Sequence, residues 1–430
     1  MKIAFLRPNM AGQRSNDAIE PLGLSVLIGL TDKKHEMVVY DERIEDIPMD
    51  LDVDLVVITT FTVTAKRAYT IAKNYREKGI YVVMGGYHAS LLPEEVKEHA
   101  DTVFVGSGEL TWGKFLEDFE NGKTEKVYEC LKLPNIDDVV YDRTLFKDKK
   151  YSFIVPVQFG RGCMHKCEFC TIGAVHKGDY VHRKIENVIK EIKQIFIENK
   201  RAKIIYFVDD NIFSNKKKAV ELFNELKKLK IKWACQGSID IAQDEKLIKL
   251  MSQAGCVEML LGFENINIKK MNKVANYAFD YEKIIKIFRK NKILVHASYV
   301  IGYDYDTKDC FDEILEFSKK NKFFLSGFNP ALPIPGTPLY DRLKAENRLL
   351  YDKWWLDDNF RYGKAAFKPH NMTVEEFEAG ILKCKVEYNK HRNIWRRLFD
   401  GGANSAHPLI FLAVNYINRK EVYNKKGIKL

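Results

Sequence analysis

The chain of 430 residues has no long apolar run, no signal-peptide pattern and no internal repeat. No stretch approaches the roughly 18 apolar residues that a membrane-spanning helix requires. The short apolar start, Met1 to Leu6, meets Arg7 and Pro8 at once. These absences argue against a transmembrane, a secreted or a repeat protein, and they predict a cytoplasmic globular chain.

Cysteine is also scarce outside one short loop. The eight cysteines do not form the regular framework of a disulfide scaffold, which fits a reducing compartment. The net charge of +10 is moderate for this length, and lysines are spread along the chain. We therefore expect no nucleic-acid partner, while a phosphate-bearing or membrane-surface partner stays open.

Residues 1–125 alternate short apolar runs with amphipathic stretches, a pattern typical of a doubly wound parallel sheet. Such sheets bind ligands at the carboxyl ends of their strands. At those ends the sequence places Thr59-Thr60 and Gly85-Gly86, with Tyr87 directly after the glycines. A glycine pair lets the backbone approach a flat ligand, although an ordinary strand-to-helix turn explains it as well.

Residues 126–150 lose this pattern and are expected to be a linker. A second series of strands and helices follows over 151–340, which predicts a partial or full βα barrel, similar to a TIM barrel, with polar residues at its rim. Residues 341–430 are expected to be mainly helical and rich in aromatic side chains.

The densest chemical signal is the loop Cys163-Met164-His165-Lys166-Cys167-Glu168-Phe169-Cys170. A [4Fe–4S] cluster is usually held by four Cys, so three thiolates would leave one iron open to a substrate or cofactor. A zinc site is the alternative, with His165, His176 or His182 as the fourth ligand. Structural zinc sites usually arrange their ligands as two separated pairs, which favours the cluster.

This loop resembles the CxxxCxΦC motif of the radical SAM superfamily, including the aromatic residue before the last Cys. The resemblance implies a [4Fe–4S] cluster on Cys163, Cys167 and Cys170, with S-adenosylmethionine (SAM) on the open iron. Reductive cleavage of SAM would release a 5′-deoxyadenosyl radical, which takes hydrogen from an unactivated carbon. The resemblance does not assign a catalytic acid or base.

Later strand ends resemble the SAM-binding positions of the same family. Asp209 and Asp210 stand where the family has a Gly-Gly-Glu-like stretch, from which this sequence departs. Gln236 and Ser238 match the region that contacts the SAM ribose and carboxylate, and Glu264 lies in a Gly-Phe-Glu segment common in these barrels. A helix N-cap for the aspartates and a salt bridge for Glu264 are the alternatives.

Further segments resemble the subgroup of radical SAM proteins that carry an N-terminal cobalamin-binding domain of flavodoxin-like, Rossmann-like fold. The resemblance implies that Thr59, Thr60, Gly85, Gly86 and Tyr87 contact cobalamin. The DxHxxG motif, which supplies a histidine to cobalt, is absent from the sequence. A domain that keeps the fold but has lost cobalamin is the alternative. The matching segments are Pro21–Leu24, Gly85–Ala89, Tyr299–Gly302, Pro333–Leu339 and Pro408–Phe411.

The resemblance thus implies a cobalamin-dependent radical SAM enzyme that methylates an unactivated carbon of a small-molecule or lipid substrate. The electron donor would be a flavodoxin or a ferredoxin. A cyclisation, rearrangement or carbon–carbon coupling without methyl transfer is a second interpretation, and a sensor without turnover is a third. The apolar stretch Pro408–Tyr416 and the lysines after it indicate either a peripheral membrane contact or a final packed helix.

Overall fold

The computed structural model describes residues 1–10, 14–15, 18–137, 139–264, 266 and 280–424. The chain divides into two compact units. The first unit comprises Met1–Lys203 and Ile334–Asp341. The second comprises Ile204–Pro333 and Arg342–Leu430.

The first unit contains a six-stranded sheet in which every described strand pair is parallel. Its spatial order is β2-β1-β3-β4-β5-β6, so the chain reverses direction across the sheet between β1 and β3. This flavodoxin-like order confirms the fold class predicted for the N-terminal part. The strands are β1 Lys2–Arg7, β2 Glu36–Asp41, β3 Leu55–Thr59, β4 Tyr81–Gly85, β5 Thr102–Gly106 and β6 Val127–Cys130.

The edge strand β6 lies inside the segment 126–150, for which the sequence pattern predicts a linker. Its four residues pair with β5 from Val103↔Val127 to Gly106↔Cys130. Only Tyr128 of this strand is buried, and its ring stacks on Phe104. A single inward aromatic side chain leaves too little apolar alternation for the strand to be recognised from the sequence.

Helices cover the sheet of the first unit, and aromatic side chains fill its core. Helix α5 buries Trp112, Phe115 and Leu116, which share one face because they are spaced three and four residues apart. The helices are α1 Leu22–Leu30, α2 Ala65–Glu77, α3 Tyr87–Leu91, α4 Pro93–Lys97, α5 Trp112–Glu120, α6 Thr171–His176 and α7 Ile185–Glu198. Three further strands belong to this unit, namely β7 Ile154–Val157, β8 Gly160–Gly162 and β9 Tyr180–His182.

The second unit contains five neighbouring parallel strands in the order β14-β13-β12-β11-β10. Of these five strands, the outermost two, β10 and β14, do not pair with each other. The described strands therefore form an open, partial βα barrel, which is one of the two forms expected from the sequence. The strands are β10 Ile204–Phe207, β11 Trp233–Ser238, β12 Cys256–Glu264, β13 Leu294–Ile301 and β14 Leu325–Pro330.

Helices separate these strands and then form the C-terminal region. The helices of the series are α8 Lys216–Leu229, α9 Glu245–Gln253, α10 Tyr281–Lys290 and α11 Cys310–Lys320. After them come α12 Pro338–Ala345, α13 Val374–Tyr388, α14 His391–Leu398, α15 Ala403–Ala406 and α16 Pro408–Asn424. Helix α13 ends at Tyr388, because Lys390 adopts an extended conformation and caps α14.

Trp354 and Trp355 of the aromatic C-terminal region are buried, and the Trp354 indole N–H donates to the carbonyl of Pro333 at 2.7 Å. The pair therefore belongs to the core of the second unit. Among the described residues, no helix combines the length and the apolar character that would let it cross a bilayer.

Candidate functional site

The three cysteines of the motif lie on a loop clamped by a two-stranded antiparallel ribbon. Strand β8 ends immediately before Cys163 and pairs with β9 beyond α6. Gly162 has φ +92°, and a Cβ at this position would lie 2.1 Å from the carbonyl oxygen of Asp179. The chain therefore needs glycine where it enters the loop.

The loop closes on itself and leads directly into a helix. The backbone N–H of Cys170 donates to the carbonyl of Cys167 at 3.1 Å, and α6 begins at the next residue. Cys163, Cys167 and Cys170 are all half-buried. The sequence motif Pro333–Leu339 also reaches this loop, because the N–H of Leu339 donates to the carbonyl of Glu168 at 3.0 Å.

The donor set of the loop fits an iron–sulfur cluster better than a single zinc ion. Each thiolate of a cluster binds its own iron, so the sulfurs need not converge on one point. In the part of the chain that the structure describes, no group of three or more His, Cys, Asp or Glu side chains could hold a single metal ion.

His176, at the end of α6, lies against the strand-end residues of the first sheet. Its ring meets the ring of Tyr87 edge-on, with centroids 6.1 Å apart. Burial, together with the nearby Arg161, lowers the pKa of His176 to about 4, so the imidazole is neutral at physiological pH. Its buried Nε2 has no hydrogen-bond partner among the described residues, which leaves a polar atom for a ligand to satisfy.

An ion pair joins the cysteine loop to the end of β5. Arg161, two residues before Cys163, lies 2.6 Å from Glu109, and both side chains are largely buried. Burial disfavours the charged guanidinium, but the Glu109 carboxylate outweighs it and the pKa of Arg161 ends above its ordinary value. The pair therefore holds the motif loop at the carboxyl edge of the first sheet.

The predicted cobalamin contacts Thr59, Thr60, Gly85, Gly86 and Tyr87 come together at the ends of β3 and β4. Gly86 has φ +104°, and a Cβ there would lie 2.7 Å from the carbonyl oxygen of Thr60. The close packing of these two strand ends therefore requires glycine at position 86. The Thr60 hydroxyl is buried and has no partner in the described structure, as a ligand-facing group would.

Aromatic and cationic side chains also lie at this carboxyl edge of the first sheet. The ring of Phe61 lies 6.1 Å from that of Tyr87, and the Arg7 guanidinium lies over Phe61 at 5.6 Å from its centroid. His88, in contrast, turns inward and takes part in a buried network. Its Nε2 lies 2.9 Å from the Tyr69 hydroxyl and its Nδ1 lies 3.2 Å from that of Thr62. This histidine therefore serves packing rather than metal binding.

The predicted SAM contacts lie in the second unit, at the carboxyl ends of three adjacent strands. The Gln236 amide donates to the backbone carbonyl of Asp209 at 2.9 Å, which ties β11 to the end of β10. Asn211 donates to the hydroxyl of Ser238 at 3.1 Å. Asp209 is buried, Asp210 is half-buried, and Glu264 has φ +56°, so a bend at the end of β12 sets the position of its carboxylate.

A polar pair on the half-exposed face of this sheet is not identified from the sequence. Nδ1 of His296 on β13 lies 3.6 Å from the carboxylate of Glu258 on β12. The Tyr206 hydroxyl donates to Gln236 on the same face at 3.4 Å. Alternate residues of β12 and β13 are half-buried, and this period of two is the signal that could have assigned both side chains to one face.

Comparison with known proteins gives two family matches, one in the N-terminal part of the chain and one that follows it. Residues 16–115 match the B12 binding domain, and residues 157–318 match the radical SAM superfamily. The solved structure of OxsB, a cobalamin-dependent S-adenosylmethionine radical enzyme with aqua-cobalamin bound, is similar over 100% of this chain and 74% of its own, at 13% identity and a TM-score of 0.69. That likeness supports the fold.

Two relatives from Chlorobaculum tepidum align over most of both chains. The bacteriochlorophyllide d C-8(2)-methyltransferase is 31% identical, over 87% of this chain and 87% of its own. The bacteriochlorophyllide d C-12(1)-methyltransferase is 29% identical, over 88% of this chain and 84% of its own. The thiol loop fits an iron–sulfur cluster, and the unsatisfied Thr60 hydroxyl fits a ligand at the first sheet. The chain belongs to the radical SAM superfamily, in the group with an N-terminal cobalamin-binding domain, and is an enzyme that uses a [4Fe–4S] cluster, SAM and cobalamin.

Proposed function

We propose that this chain is a cobalamin-dependent methyltransferase that adds a methyl group from SAM to an unactivated carbon of a flat, apolar small molecule. One observation carries the proposal: α6, which follows the cysteine loop, packs against α3, which follows the Gly85-Gly86 turn. A radical methylation needs both cofactor regions close together. The two relatives named for methylation of bacteriochlorophyllide d support this substrate class.

In the proposed enzyme, each cofactor is bound by residues in a different part of the chain. Cys163, Cys167 and Cys170 hold the cluster. Together, the cofactors supply a carbon-centred radical and a transferable methyl group. Residues at the first sheet contact cobalamin, and residues at the second sheet bind SAM. The first set is Thr59, Thr60, Gly85, Gly86 and Tyr87, and the second is Asp209, Asp210, Gln236, Ser238 and Glu264.

The reaction also requires an electron donor, for which a reduced flavodoxin or ferredoxin is suited. An apolar substrate fits a cytoplasmic enzyme that works at a membrane surface. The enzyme is therefore expected to make a peripheral contact with a membrane.

Anaerobic reconstitution with iron, sulfide and hydroxocobalamin tests the function. With SAM, a strong reductant and a chlorophyllide-type acceptor, the protein should form 5′-deoxyadenosine and S-adenosylhomocysteine together with a methylated product. Replacing any one of Cys163, Cys167 and Cys170 by Ala should lower 5′-deoxyadenosine formation by about a hundredfold or more, because an iron loses its thiolate. Product analysis by mass spectrometry measures all three compounds.

Cys130 offers a matched control, since it is also half-buried but lies outside the loop. The Cys130→Ser variant should keep its activity. Formation of 5′-deoxyadenosine without S-adenosylhomocysteine would favour a radical rearrangement. SAM binding without any cleavage would favour a sensor, and either result would contradict the proposal.

A further inference from the structure

Helix α14 presents an unusual outward face. Its buried side is formed by Asn393, Ile394, Arg397 and Leu398. On the other side, Arg392, Trp395 and Arg396 are exposed, at spacings of three and four residues that place them on one helix face. Phe399, the residue after the helix, is exposed as well. Trp395 is 47% exposed and Phe399 67% exposed. Such side chains are uncommon on a surface that faces only water.

Helix α16 extends the apolar surface. Its first ten residues contain only two side chains with polar atoms. Asn415 is buried and bonded to Arg397 at 3.0 Å, and the Tyr416 hydroxyl lies 3.3 Å from Nδ1 of His391. The outward positions Leu409, Ala413 and Ile417 are exposed, with Leu409 at 82%. A helix that is apolar on every side is normally covered by other structure or by lipid. This helix is therefore only half covered in the described structure.

The two helices are in contact, so their exposed residues belong to one region of the second unit. The rings of His391 and Tyr416 lie 5.4 Å apart, and both helices share a core with Leu294 and Phe324. These exposed residues form the outer patch, which comprises Arg392, Trp395, Arg396, Phe399, Leu409, Ala413, Ile417 and Lys420.

The exposed charge of this region is positive. Between residues 389 and 424 the sequence has six Lys or Arg but only two acids, Asp400 and Glu421. The Asp400 side chain is 2% exposed and accepts backbone N–H groups of Gly402 and Asn404, and Glu421 is buried. Neither acid offsets Arg392, Arg396 and Lys420 at the surface, so the patch complements an anionic partner.

We propose that the outer patch docks the enzyme on an anionic lipid bilayer, with Trp395, Phe399 and Leu409 in the interface and the arginines at the headgroups. Aromatic and aliphatic side chains beside basic residues are the features of interfacial helices. This inference rests on the proposed function only in that an apolar substrate would be drawn from a membrane. The contact itself requires neither cofactor nor turnover.

Vesicle flotation of the full-length, cofactor-loaded protein tests the docking. Wild-type protein should float with vesicles of two parts phosphatidylcholine to one part phosphatidylglycerol, and more weakly at high salt or with phosphatidylcholine alone. The W395S/F399S variant should bind about tenfold more weakly or worse, because two large apolar side chains are lost from the interface. The R392E/R396E variant should bind the anionic vesicles about tenfold more weakly than the wild type does. It should no longer bind them more tightly than vesicles of phosphatidylcholine alone.

Helix α7 provides a matched control in the first unit, since Lys190, Lys193 and Ile197 are also exposed at helical spacing. The I197S and K190E/K193E variants should float as the wild type does. Wild-type protein that does not bind anionic vesicles would overturn the proposal. Undiminished binding of W395S/F399S would also overturn it, and so would lipid-free self-association that this variant abolishes, since the patch would then fit a second copy.

Cofactor chemistry separates this proposal from the methyltransferase proposal. All patch variants should form 5′-deoxyadenosine from SAM at the wild-type rate, which also shows that they fold. Vesicle binding without methyl transfer would refute the methyltransferase proposal alone. Methyl transfer without vesicle binding would refute the membrane contact and leave the methyltransferase proposal standing.

Discussion

Thr60 is the residue at which cobalamin binding can be separated from folding. Its hydroxyl is buried without a partner, so the apo protein carries the cost of an unsatisfied polar group. Thr60→Val should leave the apo protein as stable as the wild type or more so. It should weaken hydroxocobalamin binding by about fivefold, the value of one ordinary hydrogen bond. Absorbance titration and thermal melts of the apo protein measure the two effects.

Thr62 is a matched control nearby, because its buried hydroxyl has a protein partner in Nδ1 of His88. Thr62→Val should lower the stability of the apo protein by about 1–3 kcal/mol, since it leaves a buried histidine nitrogen unsatisfied. Unchanged cobalamin affinity in Thr60→Val, combined with a lower melting temperature, would assign the Thr60 hydroxyl to folding instead.

Local sequence predicts the cysteine loop, because all three ligands lie within eight residues and need no knowledge of the fold. The contacts of His176 with Tyr87 and of His296 with Glu258 join residues that are far apart in the sequence. Composition and spacing carry no information on such pairs, which depend on strand register and helix packing. The chemistry of the loop was therefore predictable, whereas its surroundings required the structure.

Elements with strong apolar periodicity follow the sequence closely. The apolar run Leu55–Thr59 corresponds to β3 residue for residue, and the amphipathic stretch Glu245–Ala254 ends one residue later than α9. The five-residue helix α3 was not predicted, since it is set by the turn at Gly86 rather than by a repeating pattern. Short elements depend on contacts with their neighbours, so their own sequence predicts them less well than it predicts long periodic elements.

Helix α14 is anchored by one buried cation. Arg397 donates to the carbonyls of Phe323, Phe324 and Tyr388 and lies over the Tyr388 ring at 3.9 Å from its centroid. Burial is the main cause that lowers the pKa of Arg397, because the charge has been removed from water. This side chain fixes α14 to the segment that precedes β14.

Arg397→Met should reduce the free energy of unfolding by about 3 kcal/mol or more, because several buried carbonyl groups each lose one donor and the contact with the Tyr388 ring is lost. Chemical denaturation followed by circular dichroism measures the loss. The neighbouring and exposed Arg396 is the control, and Arg396→Met should change stability by less than about 0.5 kcal/mol. Equal effects at the two positions would show that Arg397 is not an anchor.

At the scale of the whole molecule, one compact unit contains both the cysteine loop and the flavodoxin-like sheet. The Arg161–Glu109 pair and the contact of α3 with α6 connect the two. A loop ordered by its cluster should therefore present His176 and Arg161 correctly to the sheet. Cluster loading and cobalamin binding are then expected to be coupled thermodynamically.

Cobalamin should bind the cluster-loaded protein about fivefold more tightly than the apo protein, at the lower end of typical coupling between sites. Glu109→Gln should remove much of this difference, because it leaves the largely buried Arg161 charge without its carboxylate. The exposed Glu117 on α5 supplies the control, and Glu117→Gln should keep the full difference. Equilibrium titrations of the two forms under anaerobic conditions measure the ratio, and equal affinities in the wild type would show that the two cofactors bind independently.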